Sequence, residues 1–318
     1  MASRPRRTLL AALVAASVAL PLSGAARPAA VPAPVPAPSA VGPLTSAAPA
    51  ALEKRYAATR DGIHAAARTA AGHGDTRRAA ALRSMAAPDR RFLVFDGRDG
   101  GRTVEVLGDL AHAERIAVLV PGADTGLDTY GRFRTGAEAL LRELGGAGGR
   151  AAVVAWMGYK SPGTVSTDAL SPGRAEDAAP GLRAFVDGLR AGRPAARITL
   201  LCHSYGSVVC ARAAPGLPVA DIVLYGSPGT GADHVRQLRT RARVWAGRGA
   251  DDWIARVPHV RLSLPGVRAG FGTDPMAAEF GARVFDAGAG GHGDYLAPGS
   301  VSLANIARIV AGKGTSRA

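Results

Sequence analysis

A chain of 318 residues with 47% hydrophobic content is long enough to bury one full core with appendages, as a globular protein does. The formal charge of +14 invites a nucleic-acid or membrane-surface partner, yet all but Lys54, Lys160 and Lys313 of the 39 basic residues are arginines scattered among Ala and Gly. No basic stripe interleaved with aromatics is present, so the charge reads as a solvated surface with no nucleic-acid partner.

The N-terminus, Met1-Ala-Ser-Arg-Pro-Arg-Arg, is basic and precedes an apolar or small run from Thr8 to Leu22, closed by Ser23-Gly-Ala-Ala26. That order predicts a secretory signal peptide over 1–26. The run falls short of the ~20 residues a membrane anchor needs, so no stable span is expected after cleavage and the protein is expected to be secreted. Arg6-Arg7 leaves a twin-arginine route open. From 27 to 50, prolines alternate with Ala and Val, a composition that favours polyproline II and predicts a spacer. An Ala-rich charged stretch, 51–88, carries helical spacing around Leu52, Tyr56, Ile63 and Ala67, broken at Gly72-His73-Gly74. It predicts two helices packed outside the main domain, assigned to 89–318.

Phe92 to Phe95 and Thr103 to Leu107 flank Gly97-Arg-Asp-Gly-Gly101 and predict a hairpin. Short apolar strands then alternate with helices. Strands are expected at Ile116 to Val120, Val153 to Trp156, Ile198 to Leu201, Ile222 to Tyr225, Arg243 to Ala246 and Arg283 to Asp286. Helices are expected at Arg132 to Leu144, near Pro180 to Leu189, from the turn after Ile198–Leu201 to Ala213, and at Ser302 to Val310. This alternation predicts an α/β fold with a mostly parallel eight-stranded sheet flanked by helices.

In such a sheet functional groups gather on loops at the carboxyl ends of the strands. Strand Ile198 to Leu201 runs into Cys202-His-Ser-Tyr-Gly206 and a helix, the strand-turn-helix that holds a serine hydroxyl outward. Gly206 supplies the small residue needed two positions after Ser204, while Cys202 stands where G-x-S-x-G has glycine. Cys202 and Cys210 are the only cysteines. They are expected to be two buried free thiols, since pairing requires the strand end and second helical turn to approach within about 7 Å.

The loop Pro121-Gly-Ala-Asp-Thr-Gly126 offers the Ala123 amide as one oxyanion donor, with the Tyr205 amide as the other. Asp251 and Asp252 compete as the carboxylate that orients an imidazole. His292, in a Gly-rich loop before the last helix, is the expected general base, with His259 as competitor; His203 is expected to point away from the serine. Tyr159, Trp253 and Phe271 are possible walls of a substrate pocket.

The elbow, the eight-strand tally and the order Ser204, Asp252, His292 make the chain resemble the α/β-hydrolase superfamily over residues 90–312. More narrowly, it resembles largely uncharacterised exported hydrolases that carry a His-Ser-Tyr-Gly-Ser elbow, an Asp-Trp-Ile loop, Thr-Asp-Pro with Phe-Gly-Ala, and Gly-His-x-x-Tyr. Here these are His203 to Ser207, Asp252 to Ile254, Thr273-Asp-Pro275 with Phe280-Gly-Ala282, and Gly291-His292 with Tyr295. The resemblance implies a Ser-Asp-His triad and favours Asp252 over Asp251. The expected activity is hydrolysis of a small-molecule or lipid-like carboxylic ester, without metal or organic cofactor. Amide or peptide hydrolysis, and an exported binding protein on the same scaffold, stay open as alternatives. The sequence is silent on oligomeric state.

Overall fold

The computed structural model describes residues 44–145, 150–164, 166–257, 262–264 and 267–315. The expected signal peptide, most of the Pro/Ala-rich stretch and His259 lie outside the described residues. The strands are β1 (Arg91–Asp96), β2 (Arg102–Gly108), β3 (Arg115–Val120), β4 (Ala151–Met157), β5 (Arg197–His203), β6 (Asp221–Tyr225), β7 (Arg243–Gly247) and β10 (Arg283–Val284). They form one eight-stranded sheet in the order β1-β2-β4-β3-β5-β6-β7-β10. β1 and β2 are antiparallel, β2 meets β4 antiparallel, and every later neighbour is parallel. A small antiparallel pair, β8 (Leu262–Leu264) and β9 (Val267–Ala269), lies in the connection between β7 and β10 and was not expected from the sequence.

From Ile116 onward β3 is apolar, and β4 is apolar throughout, because both faces of the sheet are covered there. In β3, Ile116, Val118 and Val120 enter one core, while Ala117 and Leu119 enter the other. In β4, Val154 and Trp156 face the first and Val153, Ala155 and Met157 the second. Helices α4 (Gly173–Gly192) and α5 (Gly206–Ala213) cover the first face; α3 (Tyr130–Glu143) and α6 (Val301–Val310) cover the second. Two deeply buried carboxylates, Glu105 and Asp221, are met by Arg90 and by Arg243 and Arg197. Paired in this way, they are structural charges within the sheet.

The N-terminal helices α1 (Pro49–Gly72) and α2 (Thr76–Met85) are separated at His73 to Asp75, where the Asp75 side chain caps α2 by accepting from the Arg78 amide at 3.0 Å. α1 crosses the sheet at β1. Leu52 and Tyr56 join the first core and Ile63, Ala66, Ala67 and Ala70 the second. Arg55 on α1 donates to the Leu93 carbonyl of β1 at 2.9 Å. Leu44 and Ala47 are already buried, so the packed part of the chain reaches into the stretch read as spacer.

Two further expectations change. α4 begins at Gly173, ahead of the expected start near Pro180, and carries Pro180 in its interior. Cys202 and Cys210 are joined in a disulfide rather than free. The turn at residues 204–205 folds α5 straight back on β5, which brings the second-turn residue over the strand end with a Cα separation of 6.3 Å. Both residues are fully buried. Closing a loop of this length restricts the unfolded chain by about 2.5 kcal/mol in the chain-entropy model. The double variant C202A/C210A is therefore expected to lose about that much unfolding free energy in urea titrations, and an unchanged midpoint would assign the bond no stabilising role.

Candidate functional site

The parallel strands deliver four loops to one edge of the sheet, and Ser204 stands at their centre. Its φ is +50°, in the left-handed region that non-glycine residues seldom enter. The conformation is held from several sides. The Ser204 amide donates to the Tyr225 carbonyl at 3.0 Å, and the Ser204 carbonyl accepts from the Ser207 amide at 2.9 Å. A Cβ on Gly206 would lie 2.5 Å from the Val120 carbonyl oxygen and 2.6 Å from that of Pro121, so only glycine lets α5 start this close to β3.

His292 Nε2 lies 2.9 Å from Ser204 Oγ, and His292 Nδ1 lies 2.9 and 3.0 Å from the two carboxylate oxygens of Asp252. A carboxylate only accepts, so Nδ1 carries the proton and the bare Nε2 faces the hydroxyl. Asp252 is 3% exposed and also accepts from the Ile254 amide at 2.9 Å and from the Tyr295 hydroxyl at 2.5 Å. Burial alone would raise its pKa. The hydrogen bonds from His292, Tyr295 and the Ile254 amide outweigh burial and hold the carboxyl below its ordinary value. Asp251, its neighbour, is exposed to solvent. Space for the pair comes from Gly226, at φ +58°, where a Cβ would sit 3.1 Å from Asp252 Oδ2 and 3.3 Å from His292 Cε1.

Two residues without an assigned role in the sequence reading hold this arrangement. Tyr295 bridges loops, its hydroxyl donating to Asp252 and accepting from the Gly249 amide at 3.1 Å. Burial and the bond to Asp252 push its phenol pKa up, which keeps the proton on the donor. The Gly-His-x-x-Tyr spacing was its signal. His203 does turn away from the Ser204 hydroxyl, as expected, but toward the loop of His292. Its Nε2 is 2.8 Å from the His292 carbonyl oxygen, which fixes that nitrogen as the donor, and its ring packs on Tyr225 and His292. The Thr273-Asp-Pro segment ties in as well, since Asp274 accepts from Arg248 in the loop after β7 at 2.7 Å.

The loop after β3 is oriented by hydroxyls. Tyr159 donates to the Pro121 carbonyl at 2.7 Å and Ser161 donates to the Gly122 carbonyl at 2.5 Å. Because a trans peptide sets N–H opposite C=O, anchoring the Gly122 carbonyl turns the Ala123 N–H the other way. Neither the Ala123 nor the Tyr205 N–H has a hydrogen-bond partner among the described residues. Tyr159, expected on a pocket wall, is instead 4% exposed and stacked between Trp156 and Tyr205 beneath that loop. Trp253 is 45% exposed with its ring centroid 4.8 Å from that of His292. It lines a cavity together with Ala123, Ser204, Tyr205, Phe271 and His292. Among the described residues no cluster of His, Cys, Asp and Glu is arranged to hold a metal, and no helix is long and apolar enough to cross a membrane.

Comparison with known proteins follows the same division of the chain. A family model described as alpha/beta hydrolase matches residues 96–262. An uncharacterized protein of Mycobacterium tuberculosis, Rv0963c, is 35% identical over 186 residues, which cover 52% of this chain and 70% of that protein. A second, Rv2079, is 29% identical over 257 residues, or 71% of this chain and 39% of that protein. Among solved structures, esterase LipW from Mycobacterium marinum aligns with a TM-score of 0.44 at 17% identity, over 79% of this chain and 90% of that one. A serine hydrolase without a lid from Xanthomonas campestris aligns with a TM-score of 0.43 at 22% identity, over 71% of this chain and 94% of that one.

The surroundings of His203 generate a pH dependence. Burial, reinforced by the neighbouring His292, pushes the His203 imidazole down to about 4. An unfolded histidine titrates near ~6.5, so between these values the unfolded chain binds the additional proton. The stability this group contributes is complete above about pH 6.5 and is lost as pH falls toward its folded pKa. His203→Phe, which cannot take up a proton, is expected to show a smaller drop in urea midpoint from about pH 7 to about pH 5 than the unaltered protein. Equal drops would remove His203 as the responsible group.

Proposed function

The chain belongs to the alpha/beta hydrolase family, and on that premise we propose that it is a serine hydrolase cleaving carboxylic esters through an acyl-enzyme. The observation that carries the reading is the unbroken hydrogen-bonded line from Asp252 through His292 to Ser204, with the serine in a left-handed backbone conformation at a helix start. In the proposed sequence His292 Nε2 takes the Ser204 proton as the hydroxyl oxygen attacks the ester carbonyl. Asp252 keeps Nδ1 protonated and stabilises the imidazolium that forms. The Ala123 and Tyr205 amides receive the oxyanion, and removing one such donor typically costs about 3–4 kcal/mol of transition-state stabilisation. His292 then returns the proton to the leaving alkoxide, and water repeats the cycle on the acyl-serine.

Esters are favoured over amides because an alcohol is the easier group to expel with a single imidazole as acid, although the same machinery serves both. We also read the protein as exported. Its basic, apolar and small-residue N-terminal order supports this, as does the buried Cys202–Cys210 bond, since disulfides persist in oxidising compartments.

Ser204→Ala and His292→Ala are each expected to abolish turnover of a p-nitrophenyl ester while leaving the unfolding transition in place. Asp252→Asn is expected to lower kcat by about three to four orders of magnitude, as for a buried triad acid, and Asp251→Asn to leave it near that of the parent. Steady-state kinetics with retained activity in Ser204→Ala, or with the two aspartate effects reversed, would dismantle the assignment.

A further inference from the structure

The space around Ser204 is divided into two unequal lobes. One, of about 190 Å³, is bordered by Ser204 and Tyr205 and walled by Ala169, Trp253, Ile254 and Phe271. The other, of about 350 Å³, does not border Ser204 or Tyr205 and is lined by His292, Gly293, Leu296, Phe133 and Arg132 among others. Ala123, Thr164, His203 and His292 line both.

Resting on the serine-hydrolase reading, the geometry points to an enzyme for short-chain acyl esters that is narrow toward the acid and tolerant toward the alcohol. The acyl carbon must bond Ser204 while its oxygen faces the Ala123 and Tyr205 amides, which puts the acyl chain in the smaller lobe. The leaving oxygen must lie beside the imidazole that protonates it, which sends the alcohol along the wider one. An apolar cavity of about 150 Å³ takes up benzene, so by comparison the acyl lobe holds roughly six to eight heavy atoms, an acid of about four to six carbons. Phe271 is one of the walls of this lobe. It is 6% exposed, packs edge-on against Tyr205, and its carbonyl accepts from the Thr230 and Gly231 amides, so it does not swing aside cheaply. Ala169 also lines the lobe, where a larger side chain takes up its space without cutting into either core.

The test is a series of p-nitrophenyl esters from acetyl to palmitoyl. The ratio kcat/KM is expected to rise about fourfold per methylene from acetyl to butyryl, as each methylene is buried. It should peak at about four to six carbons and fall at least about tenfold by decanoyl, because overfilling a packed site costs about as much as filling it gains. Ala169→Phe should move the peak to acetyl, and Phe271→Ala should move it to longer acids. Butyrate esters of ethanol, hexanol and cyclohexylmethanol, alcohols of similar acidity, should differ by less than about fivefold, since a lobe nearly twice as large accepts all three. A profile that keeps rising through decanoyl, a peak unmoved in Ala169→Phe, or sharp discrimination among the alcohols overturns the inference. Labelling with an ethyl fluorophosphonate separates the two levels. If Ser204 is labelled but the acyl profile is flat, the lobe assignment falls alone. If Ser204 is not labelled and no ester is turned over, the serine-hydrolase reading falls and takes the lobe assignment with it.

Discussion

The left-handed backbone at Ser204 is the constraint on which the rest of the site depends. A non-glycine residue held there costs of order 1–3 kcal/mol, and the surrounding structure has to over-determine it. The Tyr225 carbonyl holds its amide, Gly206 lets α5 press against the Val120 and Pro121 carbonyls, and the Cys202–Cys210 bond ties strand to helix across the turn. Each of these contacts draws on a different strand of the parallel sheet, so the position of the hydroxyl is a property of the whole core and not of the turn alone.

The imidazole is held with equal redundancy, although it arrives on a Gly-rich loop. Asp252 fixes its Nδ1, Trp253 lies against one side, and His203 grips the backbone carbonyl of the same residue. Keeping His203 neutral matters electrostatically, because a second positive ring packed against His292 would oppose the charge that the proposed mechanism places on His292. Tyr295 then links the acid to the loop that carries it. The result is a set of side chains whose polar atoms are satisfied by one another, beside a cavity lined by Ala123, Ser204 and Tyr205.

Much of this was legible in the sequence because the signals were local or ordinal. Apolar strand runs gave the sheet, and the small residue at 206 gave the elbow. The chain order of Ser204, Asp252 and His292 follows from which parallel strand ends in which loop. What was not legible depends on angles between elements. Whether Cys202 and Cys210 meet is set by how steeply α5 folds back, and whether Tyr159 faces the cleft is set by the path of residues 157–161 beneath the loop after β3. Composition predicts neither. The start of α4 was misplaced for a related reason: the helix runs from Gly173 and accommodates Pro180 in its interior, where a proline removes a hydrogen bond and ordinarily argues against helix. His203 and Tyr295 were visible as motif letters, but their partners are main-chain and side-chain groups about ninety and forty residues distant, which no local spacing reveals.

The placement of α1 has a practical meaning for anyone reshaping this protein. β1 is the outermost strand on its side of the sheet, and an uncovered strand edge invites the next molecule to pair with it. Here the helix straddles that border, feeds apolar side chains into both cores, and spends an arginine on the strand's Leu93 carbonyl. The segment ahead of the first strand is thus a selvedge that keeps the woven sheet from fraying into its neighbours. A chain cut at the start of β1 would bare that edge and lose the apolar contacts that α1 makes with both cores.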